Sequence, residues 1–561
     1  MRTVKSAVKT WLACVCVLAL VSCLAPLSSM AQVGVTPKVQ LSTVNGVPHV
    51  VNPNENEFQH EAHFLTFIGS FIPETAASEA AYYAALDPNN TKPTFPQWLV
   101  NAGFISNVNQ WHSFGKQKIA CGLGPVNGCD YPAGTYGDNI INTDSHAIVL
   151  NAADLGFVRN QFIRCVDPAN PKSTSGCTAA NPIIYTYLEN YPVSPFTGAT
   201  NGSGFPAKSG YPHDDEGTAA INSAITRPSG IAGRFADVAF EWAPPATNPT
   251  SSTRFGQLYA YEVGTDIDAN GNVPETLNFR RLDVNKPIIN FKAGDGSTNT
   301  TTATDKFAPN LDGVGFKYHP GNCLICHGGK PTNLTSTGTY PRQGNINGFR
   351  FLPLDIRNLL FTKDGGPLTV DAQQAQVKEY NKVVLLTVPK YAETDDQGTR
   401  RVAHLREVIL GWYAGFPGDT TMSSPTQNGD FLPIGWREPA HGGTAPAGAE
   451  DLYHKVVGPS CRSCHFNREL SLDFGTYANF HQESDLQQLS FLGQCKQDNN
   501  ADPNAKFMPL ALLTFVRAWE TQTGPRTLGD GTVLDHVVDK LAADFGYGSP
   551  NGVNNYCATN P

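Results

Sequence analysis

Two short stretches, Cys323-Leu-Ile-Cys-His327 and Cys461-Arg-Ser-Cys-His465, share the pattern C-x-x-C-H and lie 138 residues apart. No other feature restricts the chain as tightly, because this pattern is the attachment signal for a c-type haem. Two thiols three positions apart reach the two vinyl groups on one edge of a porphyrin. The histidine that follows turns under the ring and ligates the iron. The sequence therefore assigns Cys323, Cys326 and His327 to one haem, and Cys461, Cys464 and His465 to a second. Two competing readings carry less. Paired C-x-x-C elements can supply the four ligands of a structural zinc, but such a site does not ask for a histidine directly after both pairs. A thioredoxin-like dithiol gains nothing from that histidine either.

The start of the chain reads as an export signal. Arg2, Lys5 and Lys9 precede an apolar run from Trp11 to Leu24, and Ser29-Met30-Ala31 has the small-x-small form of a cleavage site. Leu20-Val21-Ser22-Cys23 resembles a lipobox, in which Cys23 would carry lipid and tether the protein to a membrane. Simple cleavage is the preferred reading. Either way no membrane-spanning helix is expected, since the apolar run is short for a bilayer. The expected location is periplasmic or secreted, with the lipid-anchored form as the alternative. The formal charge of the whole chain is −9, and the signal carries three of its basic residues and none of the acidic ones. That balance argues against nucleic acid as a partner. Of the 13 cysteines, three fall in the signal and four in the two motifs. The remaining Cys121, Cys129, Cys165, Cys177, Cys495 and Cys557 read as disulfides in an exported chain. Nearness in sequence favours Cys121–Cys129 and Cys165–Cys177, which leaves Cys495 and Cys557 over.

A chain of 561 residues is too long for one ordinary core, and its 52 glycines and 41 prolines imply many loops. The expected fold class is α+β. A loop-rich N-terminal domain of mixed α/β character over 32–304 would be followed by two mainly α-helical cytochrome c-like haem modules, 305–445 and 446–561. In the first part, a helical patch runs from Glu74 to Leu86. Phe255 to Tyr261 and Leu277 to Leu282 read as strands around a turn. That turn, Asp266 to Gly271, copies the opening of an EF-type calcium loop, but Leu277 stands where the bidentate Glu belongs. Its Asn-Gly pair fits a hairpin better. Two runs, Thr200 to Gly210 and Gly294 to Asp305, read as linkers. Helices are expected at Asp371 to Thr387, stopped by Pro389, and at Val402 to Trp412, where Leu405, Val408, Ile409 and Trp412 share a face. Further helices are expected at Ala449 to Val457, Pro509 to Trp519 and Val533 to Phe545.

The residue opposite each proximal histidine decides what such a protein does. A haem with both axial positions filled by protein passes electrons, whereas an open position binds a small ligand. Met508 follows His465 by 43 residues and precedes Pro509, which suits a sixth ligand for the second haem. For the first haem, the candidates are His404, His319, His441 and Met422, with His404 preferred and an open position close behind. His454 reads as packing or surface. Trp412 and Trp436 fall between the motifs and read as core.

The two motifs and the phrases around them, LDGVGFKYHPGNCLICHGG, FLPIGW and CRSCH with a downstream Met-Pro, resemble a group of long exported bacterial di-haem c-type cytochromes. The likeness is strongest over residues 310–515, and it implies two covalently bound haem c groups. A more distant likeness is to the di-haem cytochrome c peroxidases and their MauG-type relatives. The chain departs from them in its long stretch before the first motif, in the lack of any His between His327 and His404, and in its short C-terminal part. Exported rubber oxygenases also carry two such haems, without another shared motif. The expected function is electron transfer with redox partner proteins of the cell envelope. One alternative is a peroxidase- or oxygenase-like enzyme using an open position at the first haem. Another is a binding module at 32–304 with accessory haems.

Overall fold

A computed structural model describes residues 41–44, 47–50, 76–108, 118–121, 140–151, 158–169, 176–191, 236–246, 248–264, 278–280, 291–292, 298–299, 319–320, 323, 326–327, 330–331, 346–347, 349–362, 366, 368–389, 403–418, 421–465, 474–481, 518, 521, 524–528 and 531–544. They are organised by an antiparallel sheet whose long strands follow one another in space as they do in sequence. These are β1 (Ser145–Asn151), β2 (Val158–Val166), β3 (Ile183–Tyr191), β4 (Ala236–Ala243) and β5 (Phe255–Gly264). A two-residue strand, β6 (Leu359–Leu360), adds to the outer edge of β1, pairing Leu359 with Asn151. At the opposite edge, Asn278–Arg280 pairs with β5 through Asn278↔Gly264, and Ile346 pairs with Gly256. The 255–264 and 278–280 strands are thus the two arms of the expected hairpin; its turn lies outside the described residues.

The central strand β2, VRNQFIRCV, is buried at every position except the half-buried Arg159, so both faces of the sheet are covered. Helix α1 (Ala76–Leu86) contributes two buried tyrosines to one edge. Their hydroxyls accept hydrogen bonds from the backbone of β5, Leu258 N to Tyr82 at 2.9 Å and Ala260 N to Tyr83 at 3.0 Å. The tyrosines therefore occupy strand donors that would otherwise form an unpaired edge. Helix α2 (Phe95–Asn101) is pinned to β4, where Glu241 accepts from Trp98 Nε1 and from Lys92 Nζ, each at 2.7 Å. Helix α3 (Val370–Leu385) starts at Thr369, whose side chain caps Ala372 N, and it buries Val377, Tyr380, Val383 and Val384. Its Gln373 acts as a substitute strand: the side-chain amide accepts from Ile148 N at 2.8 Å and donates to Ile148 O at 2.9 Å. Helix α4 (His404–Trp412) buries Leu405, Val408, Ile409 and Trp412, the face read from their spacing.

A single apolar cluster runs from Tyr82 to Tyr413, across residue 305, where the sequence reading divides the chain. β6, the Lys330–Pro331 and Ile346–Asn347 strands, α3 and α4 all come from 305–445 and are built onto the sheet of the preceding part or into its core. A second, smaller cluster runs from Trp436 to Leu541. The Cys165–Cys177 disulfide is formed as expected, while Cys129, Cys495 and Cys557 of the two other proposed pairings lie outside the described residues. Among the described residues no helix is long and apolar enough to cross a membrane. The last helix is shorter than its pattern implied. Val533 and Leu534 pair with Thr527 and Arg526 as strands, and helix α5 (Val537–Asp544) begins only after His536, whose φ of 51° interrupts the helical path. The 1–31 signal, the 200–210 run and all of 509–519 except Ala518 lie outside the described residues; within the 294–305 run, Thr298 and Asn299 form a two-residue strand paired with Lys292 and Phe291 rather than plain linker.

Candidate functional site

The first motif is set against the sheet. His319 and Pro320 form the turn before it, and Cys323 N donates to Pro320 O at 3.0 Å. The His327 ring packs against two phenylalanines that also touch each other: Phe240 of β4, 4.8 Å away, and Phe349, 5.0 Å away and nearly parallel at 16°. Its partner along the chain is Arg350. His327 Nδ1 lies 2.8 Å from the Arg350 carbonyl, and Arg350 N donates to the His327 carbonyl at 3.1 Å. A carbonyl can only accept, so Nδ1 carries the proton and Nε2 is left as the lone-pair nitrogen. Burial pushes the His327 pKa down to about 4; the Arg350 bond works against that and the nearby Arg159 charge works with it. The ring is therefore neutral near pH 7, the state in which imidazole ligates a metal. Gly256 of β5 makes the arrangement possible, because a Cβ there would overlap the Phe349 ring.

The second motif ends a helical run over 449–465. The run passes from an α-turn (Ala449–Leu452) through a π-turn (Tyr453–Val457) and another short α-turn (Gly458–Ser460) into Arg462–His465. Such π-turns recur at functional sites because they re-aim the residues that follow. Cys461 N donates to Val457 O at 2.9 Å and His465 N to Cys461 O at 3.1 Å. The His465 ring stacks on Phe474 at 3.8 Å, and Trp436 Nε1 fixes Phe474 by donating to its carbonyl at 2.8 Å.

The two motifs meet. Cys326 Sγ and Cys464 Sγ are 3.5 Å apart, and neither belongs to a disulfide. His327 and Ser463 line one cavity of about 70 Å³, together with Arg159, Gln161, Tyr380 and Asp355. Beside it, Arg462 and Asp355 form a two-pronged ion pair, Nε to Oδ2 and Nη2 to Oδ1, both at 2.8 Å. Both side chains are buried. Burial opposes the Arg462 charge, but Asp355 and then Tyr453 more than offset this and raise its pKa. The guanidinium also lies over Trp412 at 5.2 Å and Tyr453 at 5.9 Å. Asn358 Nδ2 donates to the Gly458 carbonyl at 3.2 Å and to Asp355 at 2.9 Å. One segment, 349–360, thus holds both motifs: Phe349 and Arg350 set His327, while Asp355 and Asn358 set the second motif.

The other candidates are distributed more widely. His404 is buried at the start of α4. His319 is buried beside Glu79, its Nδ1 3.6 Å from Oε1, and its backbone N donates to Oε2 at 3.1 Å. Burial disfavours a charge on His319, but Cys323 and Glu79 together raise its pKa to about 10. His441 is exposed and bonded to Glu450 at 2.7 Å, so its ring is turned to the surface. Met422 packs against the larger core, and His454 is half-buried. Trp412 and Trp436 are fully buried core residues, as the sequence implies. Met508 lies outside the described residues. The sequence reading passed over Phe240, Phe349, Arg350 and Asp355. A charged residue inside the apolar stretch Phe351 to Leu360 was the one available sign of Asp355; Arg350 acts through its backbone, which leaves no sign at all.

A structural zinc would need four of the motif cysteines and histidines to converge. Among the described residues, the three side chains that come close enough together are Asp144, Cys165 and Cys177, whose two sulfurs are joined. The donor set suits covalent haem better, with two thiols and one histidine at each motif and, at the first, a ring whose tautomer is fixed by its carbonyl partner. The cavity alone has room for a small ligand. Ligand clefts run to roughly 300–1,000 Å³, so a porphyrin on His327 would extend well beyond it. The chain matches no protein-family profile, no curated protein and no solved structure.

Proposed function

We propose that this protein is an exported di-haem c-type cytochrome that passes single electrons between partners in the cell envelope. The observation that carries the reading is the meeting of two C-x-x-C-H motifs at one locus, together with the fixed neutral tautomer of His327. Bound haem would supply a reversible one-electron iron couple. The residues would do the rest. Each motif cysteine would add its thiol across a vinyl group, the sulfur bonding to the inner carbon and the proton going to the outer one, so no oxidant is required. The Arg350 carbonyl would hold the His327 ring and raise its basicity as a ligand. Phe240 and Phe349, and at the second motif Phe474, would keep water from the proximal side. Residues 305–445 and 446–561 would carry one haem each, with Met508 as the sixth ligand of the second.

Mass spectrometry of protein made in a host able to mature c-type cytochromes tests the reading. Two porphyrin masses on peptides containing Cys323–Cys326 and Cys461–Cys464 are expected. Protein of unmodified mass would overturn it. In Met508→Ala, the ferric spectrum should lose its Met-to-iron band at the red end.

A further inference from the structure

Two attachment motifs so far apart in sequence have no need to touch, and in most arrangements of a two-core protein they would not. Here the second cysteine of each motif meets the second cysteine of the other at 3.5 Å. That separation leaves no room for a third group between the sulfurs. Once alkylated, each sulfur would be one carbon from its porphyrin ring, so the two ring edges would be held within a few bond lengths of each other. The contact is built in rather than incidental. Asp355 and Arg462 form a buried pair of two parallel hydrogen bonds, the geometry that most restricts relative orientation. Arg462 is one residue from Cys461 and two from Cys464, and Asp355 shares the wall of the cavity that His327 and Ser463 line. Asn358 adds a second tie through the Gly458 carbonyl. Trp412, from the larger core, closes over the guanidinium.

We propose that the two haems are held as one touching pair, in contact at the Cys326 and Cys464 thioethers, with Asp355 and Arg462 as the positioning residues that fix it. This rests on the haem reading above and goes beyond it. Two haems in edge contact exchange electrons inside the protein faster than with any external partner. They also take up electrons as a coupled unit, because the charge gained by the first reduction disfavours the second.

Circular dichroism across the Soret band of the holoprotein tests the pair without any assay of activity. Coupled transitions on adjacent porphyrins give a two-signed band, whereas isolated haems give the sum of two single-signed ones. The expected result is a two-signed band that the summed spectra of the single-haem variants, Cys323→Ala/Cys326→Ala and Cys461→Ala/Cys464→Ala, do not reproduce. A holoprotein band equal to that sum, or a single-signed band should those variants not fold, overturns the proposal. Asp355→Asn should lose the two-signed shape while both porphyrin masses remain, and Arg462→Lys should retain part of it. A full-strength two-signed band in folded, doubly loaded Asp355→Asn would remove the positioning role. Absence of any Soret band is a different failure, since it removes the haem reading itself.

Discussion

The two C-x-x-C-H motifs are alike in sequence and unlike in how they are held. The first rests on the sheet: its histidine is gripped by Phe240 of β4 and by Phe349 and Arg350, all distant along the chain. The second is carried at the end of a continuous helical run and stacks on Phe474, within a core drawn from the last third of the chain. Short-range backbone bonds shape the second motif, whereas long-range packing shapes the first. The first motif thus depends on the integrity of a large antiparallel sheet, and the second on its own helical run together with the tie from Asp355 and Asn358. Between them stands Asp355, a residue of the first region that neutralises an arginine of the second.

Removing that carboxylate should have the largest effect on the comparison. Asp355→Ala leaves Arg462 buried beside Trp412 without its partner, and a loss of about 3–5 kcal/mol in chemical unfolding is expected. A loss under about 1 kcal/mol would show that the two regions stand independently of this pair. Opening the disulfide should divide them more sharply. Cys165→Ala/Cys177→Ala releases a 12-residue loop at β2, at a cost of about 3 kcal/mol. Amide exchange should accelerate in β2 and β3 and remain slow across 449–465; equal acceleration in both would mean a single cooperative unit. Gly256→Ala acts on the first motif alone. Its new methyl displaces Phe349 from against His327, for about 1–3 kcal/mol of overpacking. Porphyrin bound at Cys323 and Cys326 should fall while that at Cys461 and Cys464 is unchanged, as read by peptide mass. The smallest effect is expected at the surface. His441→Ala removes an exposed ring from Glu450 and should change stability by less than about 0.5 kcal/mol, with the visible spectrum unaltered. A spectral change there would reinstate His441 as an axial ligand.

Helices were legible wherever an apolar stripe met a stop. α3 begins and ends within two residues of its expected bounds, because Thr369 caps one end and Pro389 follows the other. α4 shows the four-residue face read from its spacing. The pairing of β5 with Asn278–Arg280 was legible as two strand-like runs close together in sequence. The union of 305–445 with the sheet was not, because the strands involved are only two residues long and carry no period. A Gln side chain that completes a strand, as Gln373 does on β1, has no signature in sequence.

The sequence by itself determined the donor set, two thiols and a histidine given twice, because C-x-x-C-H is a local spacing that a linear pattern records. Only the tertiary structure decided that the two sets share one place. That choice rests on a buried ion pair, a backbone carbonyl and a glycine that makes room for a ring, each joining residues well separated along the chain, up to 107 positions for the ion pair. Contacts of that kind depend on where the sheet brings the chain together, and no local spacing encodes them.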